Sequence, residues 1–388
     1  MRYCDSALSI PVRNGAYLRP VSARPERAFP LSHLHRLFGW LVARLENLLA
    51  DDKNRWKGFR LVCADKTTLA LPEWPELWEK FGCHKIRKHL GPVGVEFCCI
   101  FSIFTRTPIA FAFGKSNTSD ERLFTKLVKH VRKGTVVLLD NGFYSFSIFE
   151  LILKRSSHFI IPASVSLKPK LVKQLGSGDY LAEITCSKTK RTMVVRVLYV
   201  YRKGFRRRRI VTSLLDPVKF PSSEIAALYH LRWTVETFYR EFKISMQANV
   251  WHCQKVDSFE KELVSKLIAA CLVRLASAAA SNSLGLMPSN ISFAKVFSEV
   301  KIFLRKIISA IHAGEFAAFH CEFIRRCARY LVDIRPDRAF SREKQVYRRI
   351  SRNLQKKRVG RPPTKIDIKK NPKPELLPSR NGVVFLLS

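Results

Sequence analysis

The sequence predicts an α/β fold: a mixed sheet covered by helices, a β-rich insertion, and a helical C-terminal region. Three observations point there. Between residues 55 and 163, short apolar runs rich in β-branched and aromatic residues alternate with helical periodicities. Residues 164–221 alternate apolar with polar positions, with basic residues between the runs. From residue 222 the periodicity turns helical and stays so until a basic tail begins near 335.

The elements follow in order. Residues 1–54 are a short N-terminal region with one amphipathic helix, Leu31 to Leu49, which gathers Leu34, Leu37, Phe38, Leu41, Leu45 and Leu48 on one side. Residues 55–163 form the first part of the core. Phe59 to Ala64 is a strand expected to end at Asp65. Val93 to Phe104 and Pro108 to Phe113 read as a hairpin. Asp120 to Val131 is a helix with Ser119 as its cap. Thr135 to Leu139 is a buried strand that stops at Asp140, Phe146 to Lys154 is a helix, and His158 to Pro162 is a fifth strand. The insertion, 164–221, has strands at Tyr180 to Thr185, Thr192 to Tyr201 and Arg209 to Leu214. Pro221-Ser222-Ser223-Glu224 opens a long helix to about Met246, which with a helix at 257–283 completes the core over 222–283. Helices at 291–313 and 315–331 make a C-terminal region, 284–334, and 335–388 is a basic tail without a core.

Composition narrows the function. The 388 residues hold 69 Lys and Arg against 31 Asp and Glu, a formal net charge of +38. With 47% hydrophobic residues the chain can bury a sizeable core, so the charge sits on a globular body and calls for a polyanionic partner, nucleic acid before membrane. The most apolar stretches are interrupted, one by Glu96, Arg106 and Pro108, the other by Lys266 and Arg274, so no membrane span is expected. Ten cysteines without a single C-x-x-C read as reduced thiols in a cytoplasmic protein. Neither Cys83, His84 and His89 nor His320, Cys321 and Cys327 has zinc spacing. No glycine-rich phosphate loop occurs, and Ser145 lacks a nucleophile elbow.

The long helix carries the chemistry. On a wheel of about 100° per residue, Leu228, Leu231, Val235, Phe238, Phe242 and Met246 form a core face. Tyr229, Arg232, Trp233, Glu236, Arg240 and Lys243 form a polar stripe on the opposite, solvent-facing side. A solvated face with helical ion pairs is the plain reading of that stripe. Asp65 and Asp140, each after a buried strand, change it. Three carboxylates from two strands and a helix can serve two Mg²⁺ ions, which activate an attacking oxygen and stabilise a leaving one in phosphoryl transfer.

These residues resemble a known family. Tyr229-x-x-Arg232-x-x-x-Glu236-x-x-x-x-x-x-Lys243 is similar to the Y-R-E-K signature of bacterial insertion-sequence transposases of the fourth insertion-sequence family. Asp65-Lys66-Thr67-Thr68-Leu69 resembles the family's first-Asp motif, with Lys66 where Gly is usual, and Asp140-Asn141-Gly142-Phe143-Tyr144-Ser145 resembles its second. The resemblance covers roughly residues 55–275. It implies a ribonuclease-H-like core and a DDE endonuclease that excises an insertion sequence and joins it to target DNA. Asp65, Asp140 and Glu236 would be both the catalytic and the metal-binding residues, for two Mg²⁺ ions with Mn²⁺ as a substitute. Tyr229, Arg232 and Lys243 would bind DNA beside the cut, with Arg240 on the same stripe and Trp233 placed to stack on an unpaired base. The implied partners are the element's terminal inverted repeats and target DNA, gripped by a homodimer on the nucleoid in the cytoplasm. Relatives commonly carry more chain before the first Asp than the 64 residues found here, so either end recognition is carried elsewhere or this copy is shortened. A catalytically silent remnant that only binds DNA remains the alternative.

Two basic segments add to the electrostatic footprint. Arg202 to Arg209 holds six cations in eight residues, suited to phosphates at a hairpin tip. Val359-Gly360-Arg361-Pro362-Pro363 is similar to a minor-groove hook, within a tail suited to non-specific phosphate binding.

Overall fold

The computed structural model describes residues 29–48, 55–86, 89–164, 167–200 and 207–332, with the side chains of 84–90 outside the description. All of these fall in the first of two units into which the chain divides, Met1–Pro336. The segment before residue 29, most of the basic run at 202–209 and the tail with its 359–363 motif lie outside the described residues.

In chain order the elements are α1 (Leu31–Leu48), β1 (Arg55–Trp56), β2 (Phe59–Ala70), α2 (Pro75–Phe81), β3 (Cys83–Ile86), β4 (His89–Ser102), β5 (Pro108–Lys115), α3 (Asp120–Leu127), β6 (Thr135–Leu138), α4 (Phe146–Leu153) and β7 (His158–Pro162). The insertion supplies β8 (Lys170–Gly176), β9 (Asp179–Thr185), β10 (Thr192–Val200) and β11 (Arg208–Thr212). Helices α5 (Ser222–His230), α6 (Thr234–Arg240), α7 (Val256–Asn282), α8 (Phe293–His312) and α9 (Phe316–Ala328) complete the described chain.

The strands among the described residues share one mixed sheet in the order β3-β4-β2-β6-β7-β11-β10-β9-β8, with β5 on β4 and β1 on β2. Its centre, β2-β6-β7, is parallel, and β4 and β5 run antiparallel beside it. This is the ribonuclease-H-like arrangement that the resemblance implied. The parallel strands are buried on both faces: every residue of β6 is buried, as are Phe159 to Ile161 of β7. On one face α4 stacks Phe149 on Phe159 at 4.3 Å between ring centroids. On the other, Phe238 of α6 lies 4.3 Å from Phe101 of β4, and Phe242 and Tyr239 pack on Phe97.

The insertion does not stand apart from the core. Strand β11 pairs antiparallel with β7, so the insertion extends the same sheet. Strand β8 was not expected. Its Lys170, Leu171, Val172, Lys173 and Gln174 are all exposed, so an edge strand that buries almost nothing carries no apolar alternation to read.

Helix α7 is long and apolar enough to cross a membrane by length and composition alone. Here its residues from Phe259 to Ser281 are mostly buried, and its Arg274 pairs with Glu241 and donates to the Arg106 carbonyl. Among the described residues no cysteine is in a disulfide, and Cys63, Cys98, Cys99, Cys253, Cys271 and Cys327 are buried.

Within the insertion, one buried ion pair ties β9 to β10 and to the segment that leads into α5. Arg196 on β10 is 0% exposed, donates from Nε to Asp179 Oδ1 at 2.7 Å, and reaches the Phe220 carbonyl at 2.6 Å just before α5. Truncating the anion alone strands a buried guanidinium. Asp179→Ala is therefore expected to cost about 3–5 kcal/mol in chemical denaturation, and Arg196→Met combined with Asp179→Leu much less. Equal losses from the single and the double variant would mean that packing, rather than charge, holds this junction.

Candidate active site

The parallel pairing of β2 with β6 sets the level of the two aspartates. Its last paired position joins Cys63 to Leu138. Asp65 and Asp140 each lie two residues beyond, so both reach the same layer at the same edge of β6. The expectation that Asp65 closes its strand is corrected: β2 runs on to Ala70, because β4 continues to pair with it through Asp65↔Cys99 as far as Ala70↔Gly94. Asp140 does end its strand and begins a 3₁₀ turn, Asn141–Phe143.

The third carboxylate arrives on a helix that changes pitch twice. After α5 a 3₁₀ turn spans Leu231–Trp233, and after α6 a π turn spans Glu241–Ser245. A wheel at constant pitch drifts across such turns. It holds for Val235, Phe238 and Phe242, all buried, and fails for Leu231, which is 36% exposed. The stripe opposite the core is not a solvent face either. Tyr229 and Arg232 are buried, at 6% and 5% exposure, because that side of the helix looks onto the ends of β2 and β6.

Arg232 stands among all three acids. Its NH1 lies 3.9 Å from Asp65 Oδ2, and its NH2 lies 4.0 Å from Asp140 Oδ1 and 3.3 Å from Glu236 Oε1. The structure thus brings Asp65, Asp140 and Glu236 around one guanidinium. Burial pushes the Asp65 carboxyl up to about 6; the Lys66 amide, which donates to Asp65 Oδ1 at 2.8 Å, and Arg232 oppose this, while Asp140 and Glu236 add to it. Burial alone would lower Arg232, but Tyr229 and the three carboxylates outweigh it and hold its pKa above the ordinary value. Burial likewise raises the Tyr229 phenol and lowers the Lys243 ammonium.

The remaining residues of the stripe are placed unequally. Lys243 is half-buried and donates to Thr67 Oγ1 at 2.6 Å and to the Thr68 carbonyl at 2.9 Å, tying the helix to β2. Trp233 is half-buried, with the Arg232 guanidinium carbon 5.6 Å from its ring centroid. Arg240 is exposed. Sequence reasoning missed Tyr239, a buried residue whose hydroxyl donates to the Asp65 carbonyl at 2.6 Å. Its position three residues after Glu236, hence on the same helix face, was the available signal.

The donor chemistry fits hard divalent cations. Three carboxylates oppose one guanidinium, leaving excess negative charge around hard oxygen donors. Beside them the Tyr229 hydroxyl and Arg232 Nε are buried with no hydrogen-bond partner among the described residues. Among the described residues no three His, Cys, Asp or Glu side chains close on a single point. Mg²⁺ asks for less: one or two carboxylates per ion, with water and phosphate oxygens completing the octahedron.

A family model described as the transposase DDE domain matches residues 56–272, more than half of the chain. The chain belongs to this family. It is 29% identical over 255 residues to the Escherichia coli (strain K12) transposase InsG for insertion sequence element IS4. That match covers 62% of this chain and 57% of the relative, so the chain spans little more than half of that protein's length. Solved structures are only loosely alike. A piggyBac transposase synaptic complex with hairpin DNA gives a TM-score of 0.41 at 11% identity, covering 73% of this chain and 59% of that one. A pre-cleavage Mos1 transpososome gives 0.21 at 12% identity, covering 68% and 67%.

Because Arg232 is buried between acids, its loss affects folding as well as any chemistry. Arg232→Ala is expected to destabilise the protein by about 2–3 kcal/mol, somewhat less than a fully buried pair, since Asp140 and Glu236 still reach solvent. Added Mg²⁺ should raise the melting temperature of this variant more than that of the wild type. A variant that melts like the wild type would show that the guanidinium offsets no buried charge.

Proposed function

We propose that this chain is a DNA transposase of the DDE type, which cuts the ends of an insertion sequence and joins them to target DNA. The observation that carries the reading is the convergence of Asp65, Asp140 and Glu236 on Arg232 at the edge of a ribonuclease-H-like sheet, in a member of the DDE transposase family. The InsG relative, a transposase for an insertion sequence element, supports the choice of substrate.

Asp65, Asp140 and Glu236 would hold Mg²⁺, with Mn²⁺ as a substitute; when bound, the ions activate the attacking oxygen and stabilise the leaving one. The chain's own residues do the positioning. Asp65 is fixed by the Lys66 amide at its carboxylate and by the Tyr239 hydroxyl at its carbonyl. Arg232 stands within 4.0 Å of all three carboxylates and offsets their mutual repulsion. In cleavage, a water oxygen attacks the scissile phosphorus and the 3′-oxygen departs as a hydroxyl. In joining, that hydroxyl attacks a target phosphodiester and a target 3′-oxygen departs.

DNA is held by the cations facing the cut. Arg240 is exposed on the same helix and suited to a phosphate, and Lys243 would exchange a bond to β2 for one. The Tyr229 hydroxyl offers an unused donor beside Asp140, and the Trp233 ring a surface for a displaced base. A homodimer holding two element ends on the bacterial nucleoid would complete the assembly.

The test is strand nicking of an element-end duplex by purified protein. Asp65→Asn, Asp140→Asn and Glu236→Gln should each reduce Mg²⁺-dependent cleavage by at least a thousandfold and leave duplex affinity within about threefold, because the Lys and Arg contacts survive. Retention of near wild-type cleavage by any one variant would remove that residue from the site.

A further inference from the structure

Successive residues of β2 point to opposite faces of the sheet. Asp65 points towards α6. Lys66 points the other way, towards α3, and there it meets a cluster of acids that the cleavage reaction as proposed leaves unused. Its ammonium lies 2.6 Å from Asp120 Oδ1, the first residue of α3, and 3.5 Å from Glu96 Oε2 on β4, and it donates to the Thr118 carbonyl at 3.1 Å. Glu96 is 3% exposed and the Lys66 side chain 24%, so this cation is half-buried and turned onto the acids.

The same turn of α3 grips the segment that follows the second aspartate. The other oxygen of Asp120 lies against Gly142, two residues after Asp140. A Cβ at position 142 would sit 2.0 Å from Asp120 Oδ2 and 3.2 Å from its Cγ, so no side chain fits there while Asp120 keeps its place. The next residue, Glu121, accepts the Ser145 hydroxyl at 2.8 Å and also the Ser147 hydroxyl, at the start of α4. These bonds hold the Glu121 carboxyl below its ordinary range. Ser119 caps the helix by accepting from the Arg122 amide at 3.3 Å, which fixes the turn that presents both acids.

We propose that the first turn of α3 is a clamp that fixes the position of Asp65 relative to Asp140. Lys66, Asp120 and Gly142 are its working parts: the neighbour of one aspartate is bonded to a carboxylate against which the chain after the other aspartate is packed. β2 and β6 stop pairing at Cys63 and Leu138, two residues short of the acids, so backbone pairing between these two strands no longer sets their spacing. The clamp takes over where the ladder ends. It touches neither substrate nor reacting atoms, and its members are positioning residues. The inference rests on the reading of Asp65, Asp140 and Glu236 as the metal-binding carboxylates.

The probe is Mn²⁺ alone, bound to the full chain and followed by water-proton relaxation, together with single-turnover cleavage at saturating end duplex and duplex affinity. Asp120→Asn keeps the shape and removes the charge. It and Lys66→Met should weaken Mn²⁺ binding and slow cleavage about 10–100-fold, the range for residues that orient metal-binding side chains, while duplex affinity stays within about twofold. Lys66→Arg should keep most of both. Gly142→Ala should cost as much as Asp120→Asn alone, but little when added to Asp120→Ala, because the Cβ then has room. Independent losses from Gly142→Ala and Asp120→Ala would overturn the clamp. So would wild-type Mn²⁺ affinity in Asp120→Asn or Lys66→Met while Asp65→Asn has lost it. Wild-type Mn²⁺ affinity in Asp65→Asn would instead bring down the carboxylate reading, and the clamp with it.

Discussion

Three carboxylates cannot share a partly buried space without a cation, and in this protein Arg232 is that cation. The requirement explains why Arg232 is 5% exposed although its neighbours on the helix, Leu231 and Arg240, face solvent. It also explains why the helix is not regular. A 3₁₀ turn at Leu231–Trp233 lets Tyr229 and Arg232 turn towards β2 and β6 while Val235, Phe238 and Phe242 keep their places in the core. One guanidinium against three carboxylates is an incomplete balance, and burial already strains it, with the Asp65 carboxyl pushed up to about 6. Such a site gains by taking up further positive charge.

The two faces of the sheet share the work of holding that site. On the face with α6, Tyr239 and Lys243 bond to Asp65, Thr67 and Thr68, so the helix lies along the part of β2 that outruns β6. On the face with α3, Lys66 does the corresponding work. A strand extending beyond one neighbour loses half of its ladder. Here β4 supplies the other half through Ala70, and side chains on both faces replace what β6 no longer gives.

Much of this was legible in the residues. Buried strands announce themselves by apolar runs: β5, β6 and β7 begin and end close to where those runs do, whereas β2 continues past its run to Ala70 and β4 starts before its run, at His89. Ser119 reads as a cap and is one. The two acids after strands and the spacing along the helix brought the three carboxylates to notice before any geometry was available. Register was not legible: nothing in the sequence states that Cys63 pairs with Leu138, which is what puts Asp65 and Asp140 in one layer. Nor was burial of the polar stripe, because a wheel shows which residues share a face and not what that face meets. Lys66, Asp120 and Gly142 are distant in sequence and have no shared period. Only the fold makes them neighbours.

The same burial changes the meaning of the net charge of +38. A count of cations treats every Lys and Arg as available to a polyanion, yet several of them are spent inside. Arg196 is held by Asp179, Arg274 by Glu241, Lys66 by Asp120 and Glu96, and Arg232 by three carboxylates. Each of these pairs is neutral or negative in sum, so none of them contributes to a positive field at the surface. They also consume acids. Carboxylates engaged in this way no longer offset the remaining cations, so the charge left over is more strongly basic than the ratio of 69 to 31 implies. Internal pairing therefore serves two ends at once. It fixes the strands and helices around the carboxylate site, and it leaves unpaired cations in excess elsewhere, the condition under which binding to a polyanion is governed by those cations and the counterions they release.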